Sequence, residues 1–324
     1  MTEMLQNEEA VSCLLNADDV LLLCHKNPDG DTIGTAGALF HALRKLGKQV
    51  AVLCSDPIPR MYDYMELEAF RGQFEPRYIV AIDVASIQLF GDSISQYTQD
   101  IDLCIDHHGS NSGYAQLTLL DASAAATAEI MFDLIPMMGV EITPMMADCL
   151  YTGLSTDTGC FKFSNTTVRT HMVAAHLIEL GARIEDLNAI LFESKSRGRM
   201  NAERMALDSL EYYHEGRCAL IALTKEQIAE SGVDPSELEG MTSLPRMIEG
   251  VDVGITIRQQ PGGSYKISVR TTKGVDACAI ARRLGGGGHN RAAGCELEGN
   301  LENTKAAIVA EVERELAKSE EEAE

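Results

Sequence analysis

Short, wholly apolar runs alternate with amphipathic stretches through the first half of the chain. Residues 20–24 read VLLLC, the pattern of a strand buried on both faces. Residues 49–54, 78–84 and 102–106 repeat it as QVAVLC, YIVAIDV and DLCID. Helical periodicity fills the intervals at about 32–46, stopped by Gly47, and at 122–138, 144–154 and 168–180. Such alternation predicts an α/β domain, a parallel sheet with helices on both faces.

From about residue 184 to 213 the pattern reads as helix throughout, with a basic, apolar-poor centre at 194–199. Strand-like runs then return at 219–223, 251–258 and 265–272, the last two joined by a Gln260-Pro261-Gly262-Gly263 hairpin signal. A helix at about 275–284, a glycine cluster, a short strand and a C-terminal helix follow. The predicted organisation is a catalytic domain over 1–190, a helical linker over 191–214 and a smaller C-terminal α/β domain over 215–324. The acidic tail beyond Leu316 is expected to fray.

Composition narrows the partners. The chain has 324 residues, with 27 Lys plus Arg against 49 Asp plus Glu, a formal net charge of −22. Hydrophobic residues at 45% and charged residues at 23% suit a globular core and exclude disorder of the whole chain. A protein that coats long nucleic acid needs massed Lys and Arg, so no long nucleic acid is expected as a partner. Aromatic residues at 5%, without Trp, argue against stacking platforms. The nine cysteines show no CxxC spacing and read as reduced, buried thiols. An acidic N-terminus and the lack of any ~18-residue apolar run point to a cytoplasmic protein without a membrane segment.

Acids and histidines cluster where strands end. HKNPDGD (residues 25–31) follows the first strand, Asp83 ends the third, and Asp106-His107-His108 ends the fourth. Taken singly, each reads equally well as ordinary structure: residues 27–31 as a turn and helix cap, Asp83 as a cap, and His107 and His108 as strand-end residues. In an open parallel sheet, however, ligands bind at the carboxyl ends of strands, so all three should meet at one edge. A fourth candidate, Asp157, lies in LSTDTGCFKFSN, where a helix is expected to break at residues 156–159. EF-hand, P-loop, GxSxG and HExxH signatures are absent. Histidine plus carboxylates without thiolates suits Mn²⁺ or another borderline-hard divalent ion above zinc. Asp29, Asp31, Asp83 and Asp157 would repel one another unless neutralised, and two divalent ions balance them.

HKNPDGDTIGT, VAIDVAS, DHHG and STDTGCF, in that order, resemble the four N-terminal motifs of the DHH phosphoesterases. SVRTT (268–272) and GGGGHNRAAG (285–294) resemble the DHH-associated domain, so the likeness covers nearly the whole chain. The compact two-domain form is most similar to the nano-RNase/pAp phosphatases and the stand-alone cyclic-dinucleotide phosphodiesterases. The resemblance implies that His25, Asp29 and Asp83 ligate one metal. It implies that Asp31, Asp83, His107 and Asp157 ligate a second, with Asp83 bridging. Asp106 would orient a histidine, and His108 would face the substrate phosphate, as a phosphate ligand or as the acid for the leaving oxygen. Arg270, His289 and Arg291, with the backbone of Gly286, Gly287 and Gly288, would bind the rest of the substrate. Arg282 and Arg283 read instead as a solvated helix end.

The implied chemistry is attack on phosphorus by water activated between two divalent ions, most readily Mn²⁺. The leading expectation is an enzyme that degrades very short RNA to mononucleotides and dephosphorylates pAp to AMP, as a monomer or a homodimer. A phosphodiesterase for cyclic or linear dinucleotides uses the same site and is the alternative. A RecJ-type nuclease would need further length, and a family II pyrophosphatase would not carry GGGGH. A nucleotide sensor without catalysis sits poorly with an intact ligand set.

Overall fold

The computed structural model of the chain describes residues 2–272 and 274–321. They divide into two compact units, with the boundary between Ser194 and Lys195.

In the first unit the elements run β1 (Glu3–Met4), α1 (Asn7–Asn16), β2 (Val20–Leu23), α2 (Gly30–Lys45), β3 (Val50–Leu53), β4 (Tyr78–Ile82), β5 (Leu103–Asp106) and β6 (Leu117–Leu120). They continue with α3 (Thr127–Met137), α4 (Pro144–Asp157), α5 (Val168–Glu179) and α6 (Ile184–Asn188). The six strands form one parallel sheet in the order β1-β6-β5-β4-β2-β3. From β2 the chain moves one way to β3 and then returns to β4 on the other side, so β2 and β4 flank the switch point of the sheet.

Alternation along the strands feeds two cores. Val20, Leu22, Val80, Ile82 and Ile105 pack under α1 to α5, while Leu21, Leu23, Ala81 and Cys104 face the other way. Helices thus lie on both faces, but unequally. The α-helices share one face, whereas the opposite face is closed by Phe70, Phe90, Ile94 and Ala115 from loops and short 3-10 helices.

Three expectations change. Residues 117–120 form β6, a strand outside the expected set, because its LTLL run is only four residues long and is interrupted by Thr118. The helix expected over 144–154 runs three residues further, to Asp157, and breaks there, within the expected 156–159. The helix expected over 184–213 is divided. A π-helix at Ala189–Glu193 and an extended turn at 194–196 precede α7 (Arg197–Asp208), and 211–213 are strand. Polar sequence at 194–199 hid this, since Arg199 is buried and pairs with Glu203 at 2.7 Å rather than facing water.

In the second unit α7 is followed by β7 (Glu211–Tyr213), β8 (Cys218–Leu223), α8 (Lys225–Ser231), β9 (Val253–Gln259), β10 (Tyr265–Thr271), α9 (Ala277–Arg283), β11 (Gly287–His289), β12 (Ala292–Leu297) and α10 (Leu301–Glu321). The sheet order is β11-β12-β10-β9-β8-β7, antiparallel except for the parallel β8–β9 pair. Ile280, Ile308 and Val312 from α9 and α10 fill one side, and Ala202 and Ala206 of α7 with Leu238 and Met241 fill the other. The C-terminal helix extends past Leu316 to Glu321; the rest of the tail expected to fray, residues 322–324, lies outside the described residues. No helix among the described residues is long and apolar enough to cross a membrane.

Candidate metal centre

The ends of β2, β4 and β5 lie side by side, as the registers Leu23↔Ala81 and Ile82↔Ile105 require. Each strand therefore delivers its terminal cluster to one edge. After β2 the chain turns through Asn27, which has φ +51°, and its N–H is held by Asp56 at 2.7 Å. Asp29 then caps α2, accepting from the amides of Asp31 and Thr32. His25 comes within 3.5 Å of Asp29 and 3.9 Å of Asp83 through Nε2. Its Nδ1 donates to the Lys26 carbonyl at 2.8 Å, which leaves Nε2 as the ring's lone-pair nitrogen.

Asp83 follows β4 with φ +61°, in the left-handed region, while its N–H still bonds the Ile105 carbonyl at 2.9 Å. The strained conformation turns the carboxylate into the site. Only 3% exposed, it accepts from the Thr127 hydroxyl at 2.7 Å. Burial, reinforced by the charges of Asp31 and Asp29, pushes its carboxyl well above the ordinary carboxylate range. Asp31, 1% exposed, is met head-on by the N-terminus of α3: the amides of Thr127 and Ala128 donate at 2.6 and 3.0 Å, and the Thr35 hydroxyl at 3.1 Å. Burial still raises its carboxyl.

His107 reaches Asp83 at 3.7 Å and Asp157 at 3.5 Å through Nε2, while Nδ1 bonds the Ala124 carbonyl at 3.2 Å. That buried Nε2 has no hydrogen-bond partner among the described residues. Asp157, the last residue of α4, is steadied by Asn165 and pushed up to about 6 by burial and by the charge of Asp31.

Two groupings emerge with all donor atoms within 4.8 Å of one another: His25, Asp29 and Asp83, and Asp31, His107 and Asp157. Among the described residues, no Lys or Arg forms an ion pair with these carboxylates. Acids without a Lys or Arg partner, with Asp31 and Asp83 buried among them, and an imidazole nitrogen presented bare, are the donor set a hard divalent cation completes. A third grouping of Asp83, His107 and His108 is less apt, because His108 Nδ1 is engaged at 2.7 Å by Asp106. Asp106 also accepts from the amides of His107 and His108 and from Asn111 Nδ2. Despite its burial, those donors hold its carboxyl low, and the Asp106 hydrogen bond raises His108.

In the second unit, Arg270 pairs across the sheet with Ala292, and Ala292 with His289. Arg270 and His289 thus stand in one row on the same face, separated by a methyl group. The neighbouring row carries Ser268, Gly294 and Gly287, a floor almost without side chains. The glycines have separate reasons. Gly285, at φ +80°, closes α9 with Gly286, whose N–H bonds the Ala281 carbonyl. A Cβ on Gly286 would lie 2.1 Å from the Gly294 carbonyl oxygen, and one on Gly288 2.6 Å from that of Ala292, whereas Gly287 opens onto free space. Arg291 is exposed in the β11–β12 turn. Arg282 and Arg283 stand exposed in the last turn of α9, and Arg283 is in addition paired with Glu311 and Glu315 of α10 at 2.7 and 2.9 Å.

Residues 19–154 match the DHH family N-terminal domain, and residues 219–318 match the DHHA1 domain. The bifunctional oligoribonuclease and PAP phosphatase NrnA of Thermus thermophilus is 33% identical over 308 residues, which are 93% of this chain and 91% of the relative. The chain belongs to the DHH family. A cyclic-di-AMP phosphodiesterase, GdpP of Geobacillus thermodenitrificans, is 24% identical over 88% of this chain but only 45% of its own. The crystal structure of an exopolyphosphatase-related protein from Bacteroides fragilis shares the fold, with a TM-score of 0.87 at 24% identity over 97% of each chain.

The structure of this DHH protein adds residues that the sequence reading passed over. Thr127, Asn111 and Asn165 hold the acids by hydrogen bonds, and Gly153 leaves room for them: a Cβ there would lie 2.6 Å from Asp31 Oδ1 and 2.7 Å from Ala128 Cβ. No motif marks them, because a polar or small residue inside a helix or loop is common and only the fold shows what it faces.

Proposed function

We propose that this DHH protein is a two-metal phosphoesterase that hydrolyses very short oligoribonucleotides to mononucleotides and removes the 3′-phosphate of pAp to yield AMP. The observation that carries the reading is the convergence of His25, Asp29, Asp31, Asp83, His107 and Asp157 at the switch point, with His107 Nε2 buried and unpartnered. In this reading His25, Asp29 and Asp83 hold one ion, and Asp31, Asp83, His107 and Asp157 hold the other. Mn²⁺ suits a set of imidazoles and carboxylates. When bound, the ions lower the pKa of water near neutrality and offset charge on the phosphoryl oxygens.

The remaining work belongs to side chains. Asp106 fixes the tautomer and direction of His108 and, through that hydrogen bond, strengthens its hold on a proton, which His108 would donate to a phosphoryl or leaving oxygen. Arg270 and His289, with Arg291 at the turn and the open backbone of Gly286 to Gly288, take the second phosphate or base of the substrate. A cytoplasmic location and a homodimer complete the proposal.

The second reading, cleavage of cyclic or linear dinucleotides, rests on the GdpP relative. It ranks lower because that likeness spans less than half of the relative, whereas the NrnA likeness is nearly end to end. The test is turnover of di- to pentaribonucleotides, pAp, cyclic di-AMP and pyrophosphate with Mn²⁺. Fast cleavage of the short RNAs and pAp is expected. Preference for cyclic di-AMP reverses the ranking, and nucleotide binding without turnover of any substrate makes the protein a sensor.

A further inference from the structure

A cavity of about 830 Å³ opens in the second unit between α8 with the turns that follow it and the β9–β10 hairpin. Its volume falls within the ~300–1,000 Å³ of small-molecule sites. None of its lining residues belongs to the metal cluster or to the Arg270–His289 row. Ile228, Val233, Pro235 and Leu238 make an apolar wall.

The opposite wall carries Arg258, whose side chain is only 5% exposed. Its Nη2 donates to Glu239 Oε1 at 2.5 Å, but its Nε, also buried, has no hydrogen-bond partner among the described residues. Lys266 Nζ reaches the same Glu239 oxygen at 2.8 Å. One carboxylate oxygen therefore serves two cations, and the residue supplying it stands 55% exposed on a 3-10 turn at the cavity rim, where a competing anion can reach it. The Nε–Nη2 edge of a guanidinium is a fork matched to a carboxylate or phosphate, which would satisfy the orphan N–H as Glu239 does not. The other charged pair at the rim, Lys225 and Glu226, balances itself.

We propose that this cavity is a second ligand site, which takes a small organic anion whose carboxylate or phosphate head docks on Arg258 and Lys266 while an apolar body fills the wall of Ile228, Val233 and Leu238. The head can come from a mononucleotide or from a non-nucleotide acid, and two probes separate these sources. The full-length protein, loaded with Mg²⁺ to avoid paramagnetic broadening, is titrated with AMP, with 2-naphthoate and with inorganic phosphate. The methyl resonances of Ile228, Val233 and Leu238 are followed by NMR.

Saturable shifts of these methyls with AMP or with naphthoate are expected, weakened roughly tenfold or more in Arg258→Lys, where the fork is lost but the charge kept. Saturation by AMP identifies a nucleotide site; saturation by naphthoate alone identifies a site for a non-nucleotide acid. Methyls unmoved by both probes, equal affinity for bare phosphate, or undiminished affinity in Arg258→Lys overturns the proposal. Ala229→Trp, at an exposed position of the cavity lining that takes no part in the Arg258–Glu239–Lys266 ion pairs, is the variant chosen to fill the space. It should abolish the shifts, and retained binding there overturns the proposal even if Arg258→Lys does not fold.

Discussion

Asp106 Oδ1 accepts the Nδ1 hydrogen of His108 at 2.7 Å, which gives the imidazole one tautomer and one direction. The same carboxylate is anchored by Asn111 at 2.6 Å, so it cannot turn away. Asp106→Asn should lower kcat by roughly 10²–10⁴-fold, the range for a misdirected acid–base group. Metal content should stay at the wild-type level. Because Asp106 raises His108, its loss moves the alkaline limb of the pH–rate profile to lower pH. A variant with reduced kcat and an unmoved limb would assign Asp106 a purely structural role.

The metal-free protein should lose stability as pH rises. Asp31, Asp83 and Asp157 all have raised carboxyls in the folded state, Asp157 to about 6. The folded protein thus binds more protons than the unfolded chain above the ordinary carboxylate value of about 4, and stability falls as pH climbs through the raised values. His25 and His108, raised by Asp29 and Asp106, act in the same direction above their ordinary value. Mn²⁺ displaces these protons, so the Tm gain on adding it should be larger at about pH 8 than at about pH 5. Thermal melts at both values check this, and a Tm gain independent of pH contradicts it.

Thr127 contributes its amide to Asp31 and its hydroxyl to Asp83. Thr127→Val keeps the amide and deletes only the hydroxyl. Loss of such a supporting hydrogen bond weakens metal affinity by about 10–100-fold. Calorimetric titration with Mn²⁺ measures it, and Thr127→Ser should restore most of the affinity.

Gly153 tests packing against propensity. Within a helix, Ala should stabilise by roughly 0.5–1 kcal/mol over Gly. Here the added methyl meets Asp31 Oδ1 at 2.6 Å and Ala128 Cβ at 2.7 Å. Overpacking of this kind costs about 1–3 kcal/mol, so Gly153→Ala should lower stability and weaken Mn²⁺ binding. Denaturant midpoints decide the sign.

In the second unit, Arg270→Ala should raise KM for pAp by about tenfold or more while changing kcat less, with metal content intact. His289→Ala should act in the same direction, and the double variant should show less than the sum, because the two share one row of the sheet. Strict additivity would mean that they contact different parts of the substrate.

Much of the site was legible in the sequence because its residues follow apolar strands directly. The order of HKNPDGD, Asp83 and Asp106-His107-His108 along the chain is also their order of arrival at one sheet edge. Legibility was poorer where polarity misled. Arg199 reads as solvated and is buried against Glu203, so α7 looked like a connector rather than part of a core. Arg283 reads as a solvated helix end and stands exposed, but its pairing with α10 is not visible along the chain.

The sequence by itself determined the strand-end clusters, the α/β class and the metal-binding character, since apolar periodicity and residue chemistry are local properties. Only the tertiary structure decided which donors stand together, that Asp157 joins them from the end of α4, and that Thr127, Asn111 and Gly153 belong to the site. It also decided that Arg258 keeps an unpaired N–H beside a cavity. These are matters of distance and burial between segments remote in the chain, and no local pattern encodes them.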